Sequence, residues 1–266
     1  PIWYTTDNLN AAKSSGAYYL WPNKALGYSL TGKNMIAGEW DGGATRTTHD
    51  EFGSRVTQND NASSLSNHAT HVAGTIVAQG LDSSAKGMAY EAELLAHDWN
   101  SDDFEMATEA GDGLIVSNHS YGTITGWRKS DSGAYLWYGD TSISTQEDWH
   151  AGFYDGQSRS WDQIAYNAPY YLIVKSAGND RNDKPDSREH YVFDNSQGDW
   201  VKSYASRQPD GPYDNLGPKS VAKNILTVGA VEDVLSYSDP SDVTMTSFSS
   251  WGPTDDGRIK PDIVGN

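Results

Sequence analysis

Short apolar runs bounded by turn residues alternate along this chain with stretches whose apolar positions recur at helical spacing. Met35-Ile36-Ala37-Gly38-Glu39-Trp40, ended by Asp41-Gly42-Gly43, predicts a buried strand that delivers a carboxylate at its C-terminal end. Asn67–Val77 carries Val72, Ile76 and Val77 at helical spacing, with small residues at Ala69, Ala73 and Gly74, and predicts a helix with one buried face. Further strands are expected at 93–98, 113–118, 170–174 and 225–231, and helices at 102–111 and 163–169. A short helix at 11–19 is expected within a polar, turn-rich opening segment, residues 1–33. Strands alternating with helices predict an α/β fold of three layers, a mostly parallel sheet with helices on both faces.

Two intervals, 123–162 and 181–222, break this rhythm. Connections are usually ~4–6 residues, and these are far longer. The first is rich in rings, with Trp127, Trp137, Tyr138, Trp149, Phe153, Tyr154 and Trp161. They read either as insertions that bury their own aromatics or as walls of a binding cleft. No Pro-, Ser- or Gly-rich linker divides the chain and no repeat is visible, so one domain is expected over 1–266.

Composition narrows the partners. With 19 basic and 36 acidic residues the formal charge is −17, which argues against nucleic acid and anionic membranes. There is no cysteine, hence no disulfide framework and no thiolate chemistry. No apolar run approaches the ~18 residues of a membrane span. Pro1-Ile2-Trp3-Tyr4 has no secretory-signal character, so a soluble or already processed protein is expected.

The candidate chemistry starts at His68 and His71, two imidazoles at the head of the 67–77 helix. A metal pair of the His-Glu-x-x-His kind is excluded, because the spacing is three and no Glu follows His68. The stretch alone leaves open a core histidine and a catalytic base, just as Asp41 can be a turn residue or a catalytic one. In parallel sheets, ligands bind outside the carboxyl ends of the strands. Asp41, His68, Ser120-Tyr121-Gly122 and Asn179 should all emerge on that side. An aspartate that orients an imidazole, an imidazole that takes a proton from a nucleophile, and an amide that donates to an oxyanion make an acyl-transfer site.

Five ordered blocks carry a resemblance: Asp41-Gly42-Gly43, His68-Ala69-Thr70-His71-Val72-Ala73-Gly74-Thr75, Asn118-His119-Ser120-Tyr121-Gly122, Ala177-Gly178-Asn179 and Ser247-Phe248-Ser249-Ser250-Trp251-Gly252. In this order they resemble the subtilases, the subtilisin-like serine endopeptidases, over roughly 33–266. The resemblance implies that Asp41 orients the base, His68 is the general acid/base and Asn179 donates to the oxyanion. It implies that the backbone of Ser120, Tyr121 and Gly122 pairs with an extended peptide, and that Ser176, Ala177 and Gly178 line the pocket for the residue before the scissile bond. It also implies a bacterial, secreted protein with a propeptide, and insertions like those of larger extracellular members. His49-Asp50-Glu51-Phe52 resembles a structural turn of the family.

Some positions depart from the family pattern. Ala69 stands where Gly is usual, and Lys175 interrupts an apolar strand, where a buried ammonium needs a carboxylate or the cleft. The Gly-Thr-Ser block with the nucleophile is not found. Ser120, Ser249 and Ser250 match positions with other duties. A helix following that serine would bury on the order of five aliphatic side chains at roughly 1.5–3 kcal/mol each, rivalling a domain's ~5–15 kcal/mol. The fold is therefore expected to be incomplete without a C-terminal segment, and a companion polypeptide carrying the serine is expected. This chain alone is expected to be inactive. The competing readings are a noncatalytic peptide-binding pseudoprotease and a carbohydrate-binding module using Trp137 and Trp149. No cofactor is expected for the chemistry. Asp180, Asp183 and Asp186 form either a structural calcium loop or a solvated acidic one.

Overall fold

The computed structural model describes residues 8–186 and 188–266. Pro1-Ile2-Trp3-Tyr4 lies outside them. In chain order the elements are α1 (Asn8–Ser14), α2 (Ala17–Leu20), β1 (Ile36–Asp41), β2 (Val56–Gln58), α3 (Asn67–Val77), β3 (Glu93–Asp98), α4 (Asp102–Gly111), β4 (Val116–His119), β5 (Trp127–Lys129), β6 (Tyr135–Trp137), α5 (Gly156–Asn167), β7 (Leu172–Ser176), β8 (His190–Asp194), β9 (Asp199–Ser203), β10 (Leu226–Ala230) and β11 (Ile263–Gly265). The main sheet runs β11-β10-β7-β4-β1-β3-β2 and every pairing in it is parallel. This is the expected α/β architecture. Among the described residues no helix is long and apolar enough to cross a membrane.

Alternation along the strands separates two cores. Leu94 and Ala96 of β3 join Val56, Phe52 and, from α3, Ala73 and Val77. On the opposite face Trp40 and Ile173 pack with Met106 of α4 and with Trp161, Ile164 and Ala165 of α5. Helices on both sides bury the sheet on both faces, as parallel sheets require. Trp40 is the centre of the second core. His97 stacks on one side of its ring at 4.4 Å and 7°, and His119 on the other at 5.2 Å and 15°. The register explains the stack, because Trp40 pairs with His97 on β3 and with His119 on β4.

The elements differ from the sequence expectations at their ends. The expected helix at 11–19 is split into α1 and α2, because Gly16 adopts φ 84°, a left-handed conformation that ends a helix. α5 begins at Gly156, seven residues before the expected start, since Asp155 caps it by accepting from Gln157 N and Ser158 N. The intervals 123–162 and 181–222 are not unstructured. They meet in a second sheet, β5-β6-β8-β9. Trp127, Trp137 and Val192 form its core, and Arg207 lies 4.0 Å from the Trp137 ring centroid.

Candidate active site

β1 ends in Asp41, which is 2% exposed. The chain leaves it through Gly42 and Gly43, and Gly43 has φ 134° with Ser64 O only 2.8 Å from where a Cβ would sit. Only glycine fits so close an approach. It allows Ala44 N to donate to Ser64 O and Ser66 N to donate to Ala44 O, each at 2.8 Å, clamping the entry of α3 beside the end of β1. Ser66 caps α3 by accepting from Ala69 N at 3.1 Å. His68, in the first turn, is thereby brought over the carboxylate. Its Nδ1 lies 2.8 Å from Asp41 Oδ1 and 2.7 Å from Oδ2. Asp41 Oδ1 also accepts from Gly42 N at 2.7 Å. The Asp41 hydrogen bond raises the His68 pKa, opposed by burial and reinforced by the negative charge. The ring is otherwise open, with 59% of its side-chain surface exposed.

The other expected residues occupy the same rim of the sheet. β1, β4 and β7 are neighbours, and Trp40 pairs with His119, which pairs with Lys175. Asp41, Ser120 and Ser176 are thus the next residues at one level. Ser120-Tyr121-Gly122 leaves β4 as non-strand backbone. The Tyr121 side chain is turned inward, its hydroxyl donating to Asp102 Oδ2 at 2.6 Å, so this segment presents backbone rather than that ring. Beyond β7, Ala177 N donates to Val228 O at 2.8 Å, and Gly178 takes φ 116° with Ser250 Oγ 2.9 Å from its would-be Cβ. Ser250 Oγ accepts from Asp180 N at 3.0 Å and Ser250 N donates to Gly178 O at 2.9 Å. The Ser247–Gly252 block is therefore the brace behind the turn that presents Asn179, whose side chain is exposed.

The serines considered as nucleophiles are occupied elsewhere. Ser249 and Ser250 are fully buried, Ser249 Oγ accepting from Ala230 N at 2.9 Å. Ser120 Oγ accepts from Asn118 Nδ2 at 2.9 Å. Among the described residues, the polar side chain bonded to the His68 ring is Asp41. On the far side of α3, Asn67, Thr70, His71, Gly74 and Thr75 border a cavity of about 700 Å³.

Two further polar residues lie near the site. Glu39 precedes Asp41 by two and is fully buried on the same face of β1, where Thr45 Oγ1 lies 3.3 Å from its Oε2. Burial, then the charge of Asp41, pushes its carboxyl well above the ordinary range. Lys175 was expected to reach a carboxylate or the cleft. It curls back to donate to Ser176 O at 2.8 Å and Ser176 Oγ at 2.9 Å, with its pKa lowered to about 7 by burial and by Lys219. A Cβ on Gly122 would lie 3.7 Å from Lys175 Nζ, so the ammonium bridges beneath both expected pocket walls. Of the calcium candidates, Asp186 is 79% exposed and lies 3.7 Å from Lys129 Nζ.

Comparison with known proteins follows the same outline. The profile described as Subtilase family matches residues 35–266. A curated relative from Dictyostelium discoideum, the serine protease/ABC transporter B family protein tagB, is 25% identical over 256 residues, covering 79% of this chain and 12% of that protein. The chain thus spans about an eighth of that relative. Among solved structures, the CspB protease of Clostridium perfringens superposes with TM-score 0.57 at 13% identity, over 98% of this chain and 79% of that one. The epidermin leader peptide processing serine protease EpiP of Staphylococcus aureus gives TM-score 0.53 at 15% identity, over 100% and 58%. These structures share the fold.

Proposed function

The chain belongs to the subtilase family, and from that membership we propose that it serves as the Asp-, His- and Asn-bearing part of a serine endopeptidase. The observation that carries the reading is the Asp41–His68 contact at the carboxyl rim of the sheet, with His68 Nδ1 2.7 Å from Asp41 Oδ2. Asp41 fixes the tautomer and stabilises the imidazolium, leaving Nε2 to act as general base and then general acid. Asn179, exposed after β7, donates to the oxyanion. An extended peptide lies along the backbone of Ser120, Tyr121 and Gly122 as an added strand, and its side chain enters between that segment and Ser176, Ala177 and Gly178.

The nucleophile in this reading is a serine outside the five blocks, carried on a companion C-terminal polypeptide segment that packs in the cavity beside α3. The reading rests on the occupied hydroxyls of Ser120, Ser249 and Ser250. No metal or organic cofactor takes part in the proposed chemistry. A bacterial extracellular location belongs to the same reading and fits a chain of charge −17 without cysteine.

The test is a fluorophosphonate probe applied to the purified protein with whatever polypeptide copurifies. Label is expected on a serine of the companion segment, absent from Ser120, Ser249 and Ser250, and abolished by His68→Ala. Unlabelled protein that binds peptides without cleaving them would overturn catalysis in favour of a noncatalytic peptide-binding protein.

A further inference from the structure

On the face of the sheet opposite α3, a second group of titratable residues has no part in the proposed chemistry. His97 of β3 is 3% exposed, yet neither of its ring nitrogens has a hydrogen-bond partner. A buried imidazole that satisfies neither nitrogen forfeits the usual compensation for desolvation. Carboxylates surround it instead. Glu105 Oε2 lies 3.5 Å from Nδ1 and Glu109 Oε1 lies 3.4 Å from Nε2, both beyond good hydrogen-bond length. The ligand atoms of Asp60, His97 and Glu105 all fall within 4.8 Å of one another.

We propose that Asp60, His97 and Glu105 bind a divalent transition-metal ion of the zinc type, with Glu109 as the outer partner of the imidazole. Tetrahedral zinc with bonds of about 2.0–2.1 Å holds its ligand atoms about 3.3 Å apart. The 3.5 Å from His97 Nδ1 to Glu105 Oε2 is already close to that edge length. The ring is held in place by its stack on Trp40, at 4.4 Å and 7°. Glu109 faces the remaining nitrogen, where it would accept from Nε2–H and leave the Nδ1 lone pair for the metal, as carboxylates commonly do for metal-bound histidine.

The carboxylates are oriented too. Trp40 Nε1 donates to Glu105 Oε2 at 3.0 Å, Asn59 Nδ2 donates to Glu109 Oε1 at 2.6 Å, and Asp60 accepts from Gln58 Nε2 at 2.8 Å and Asp98 N at 2.6 Å. One nitrogen with carboxylate oxygens suits zinc and its neighbours better than calcium or magnesium, which take oxygen throughout. The ligands come from three places: the turn after β2, β3 itself, and the first turn of α4. An ion here would tie together the segment that carries Trp99, whose ring packs over Gly42 beside Asp41.

The test is titration of the metal-free protein with zinc chloride, followed by calorimetry and thermal unfolding. One zinc per chain is expected, with Tm raised by about 5 °C at a hundredfold excess over Kd. Glu105→Gln is expected to weaken binding at least tenfold. Should that variant not fold, cobalt(II) substitution of the unaltered protein decides: d–d bands of a four-coordinate site with a nitrogen ligand support the proposal. An octahedral all-oxygen spectrum, a zinc affinity unchanged in Glu105→Gln, equal stabilisation by calcium, or no saturable binding would each overturn it.

Discussion

His68 shows how little of an imidazole's behaviour is its own. The Asp41 carboxylate raises its pKa, and burial opposes the shift. Because the folded value exceeds the ordinary ~6.5, the pair's contribution to stability is fully present below ~6.5 and is lost as pH rises through the raised folded value. With 59% of the side chain exposed, solvent screening keeps that contribution small. The shift itself is the better measurement. Asp41→Asn removes both the hydrogen bond to a charged acceptor and the charge, so ring resonances in NMR should titrate at lower pH than in the unaltered protein. An unchanged midpoint would mean that Asp41 does not set the imidazole's state. Both residues were legible in the sequence because each sits where an apolar pattern stops: Asp41 before two glycines, His68 at the head of a small-residue helix. Glu39 and His97 were not, since each is a polar residue inside an apolar run whose neighbours, Thr45 for one and Glu105 and Glu109 of α4 for the other, are set by the folded chain. Lys175 stood out as a buried ammonium, but its bonds to Ser176 did not.

At the scale of elements, α3 carries the site and its start is its weak point. Ser66 has φ −108° and ψ 126°, accepts from Ala69 N, and receives the Thr70 hydroxyl on its carbonyl. Ser66→Ala leaves a first-turn N–H unpaired and should cost about 1 kcal/mol, read as a lower urea midpoint at unchanged m. No loss would show that the clamp between Ala44 and the backbone of Ser64 and Ser66 holds the helix start without the cap. The helical spacing of Val72, Ile76 and Val77 made α3 readable, the acidic, short-sided stretch at 102–111 did the same for α4, and the short apolar run at 93–98 for β3. The second sheet was invisible for a physical reason. β5 and β6 have three residues each, and β6 finds a parallel partner in β8, more than fifty residues on, through Leu136↔Tyr191 and Trp137↔Val192. Nothing local to Tyr135–Trp137 encodes that pairing. The rings of 123–162 gave the clue that something is buried, and the partner lay in 181–222.

For the molecule as a whole, that second sheet is joined to the site through acidic groups. Asp210 accepts from Trp127 N at 2.8 Å through Oδ2, and any Cβ at Gly126 would overlap its carboxyl. Its backbone N donates to Asp183 O at 3.0 Å, and Asp183 lies in the turn after Asn179. Burial, then the charges of Asp180, Asp183 and Asp148, pushes Asp210 up to about 9, while burial and Asp183 push Asp180 to about 6. A carboxyl raised in the folded state holds a proton that the unfolded chain releases near pH ~3.9. Its stabilisation is complete below that value and is lost as pH rises toward about 9 for Asp210. His119 acts in the opposite direction. Burial and the Lys175 and Lys219 ammoniums keep it neutral, so its contribution is present above ~6.5 and declines as pH falls below that value. Stability should therefore fall on the alkaline side chiefly through Asp210. Asp210→Asn retains an acceptor for Trp127 N–H and cannot titrate, so its Tm should decline less steeply between pH 5 and pH 9 than that of the unaltered protein. Parallel Tm curves would place the alkaline sensitivity outside the seam that links the second sheet to the Asn179 turn.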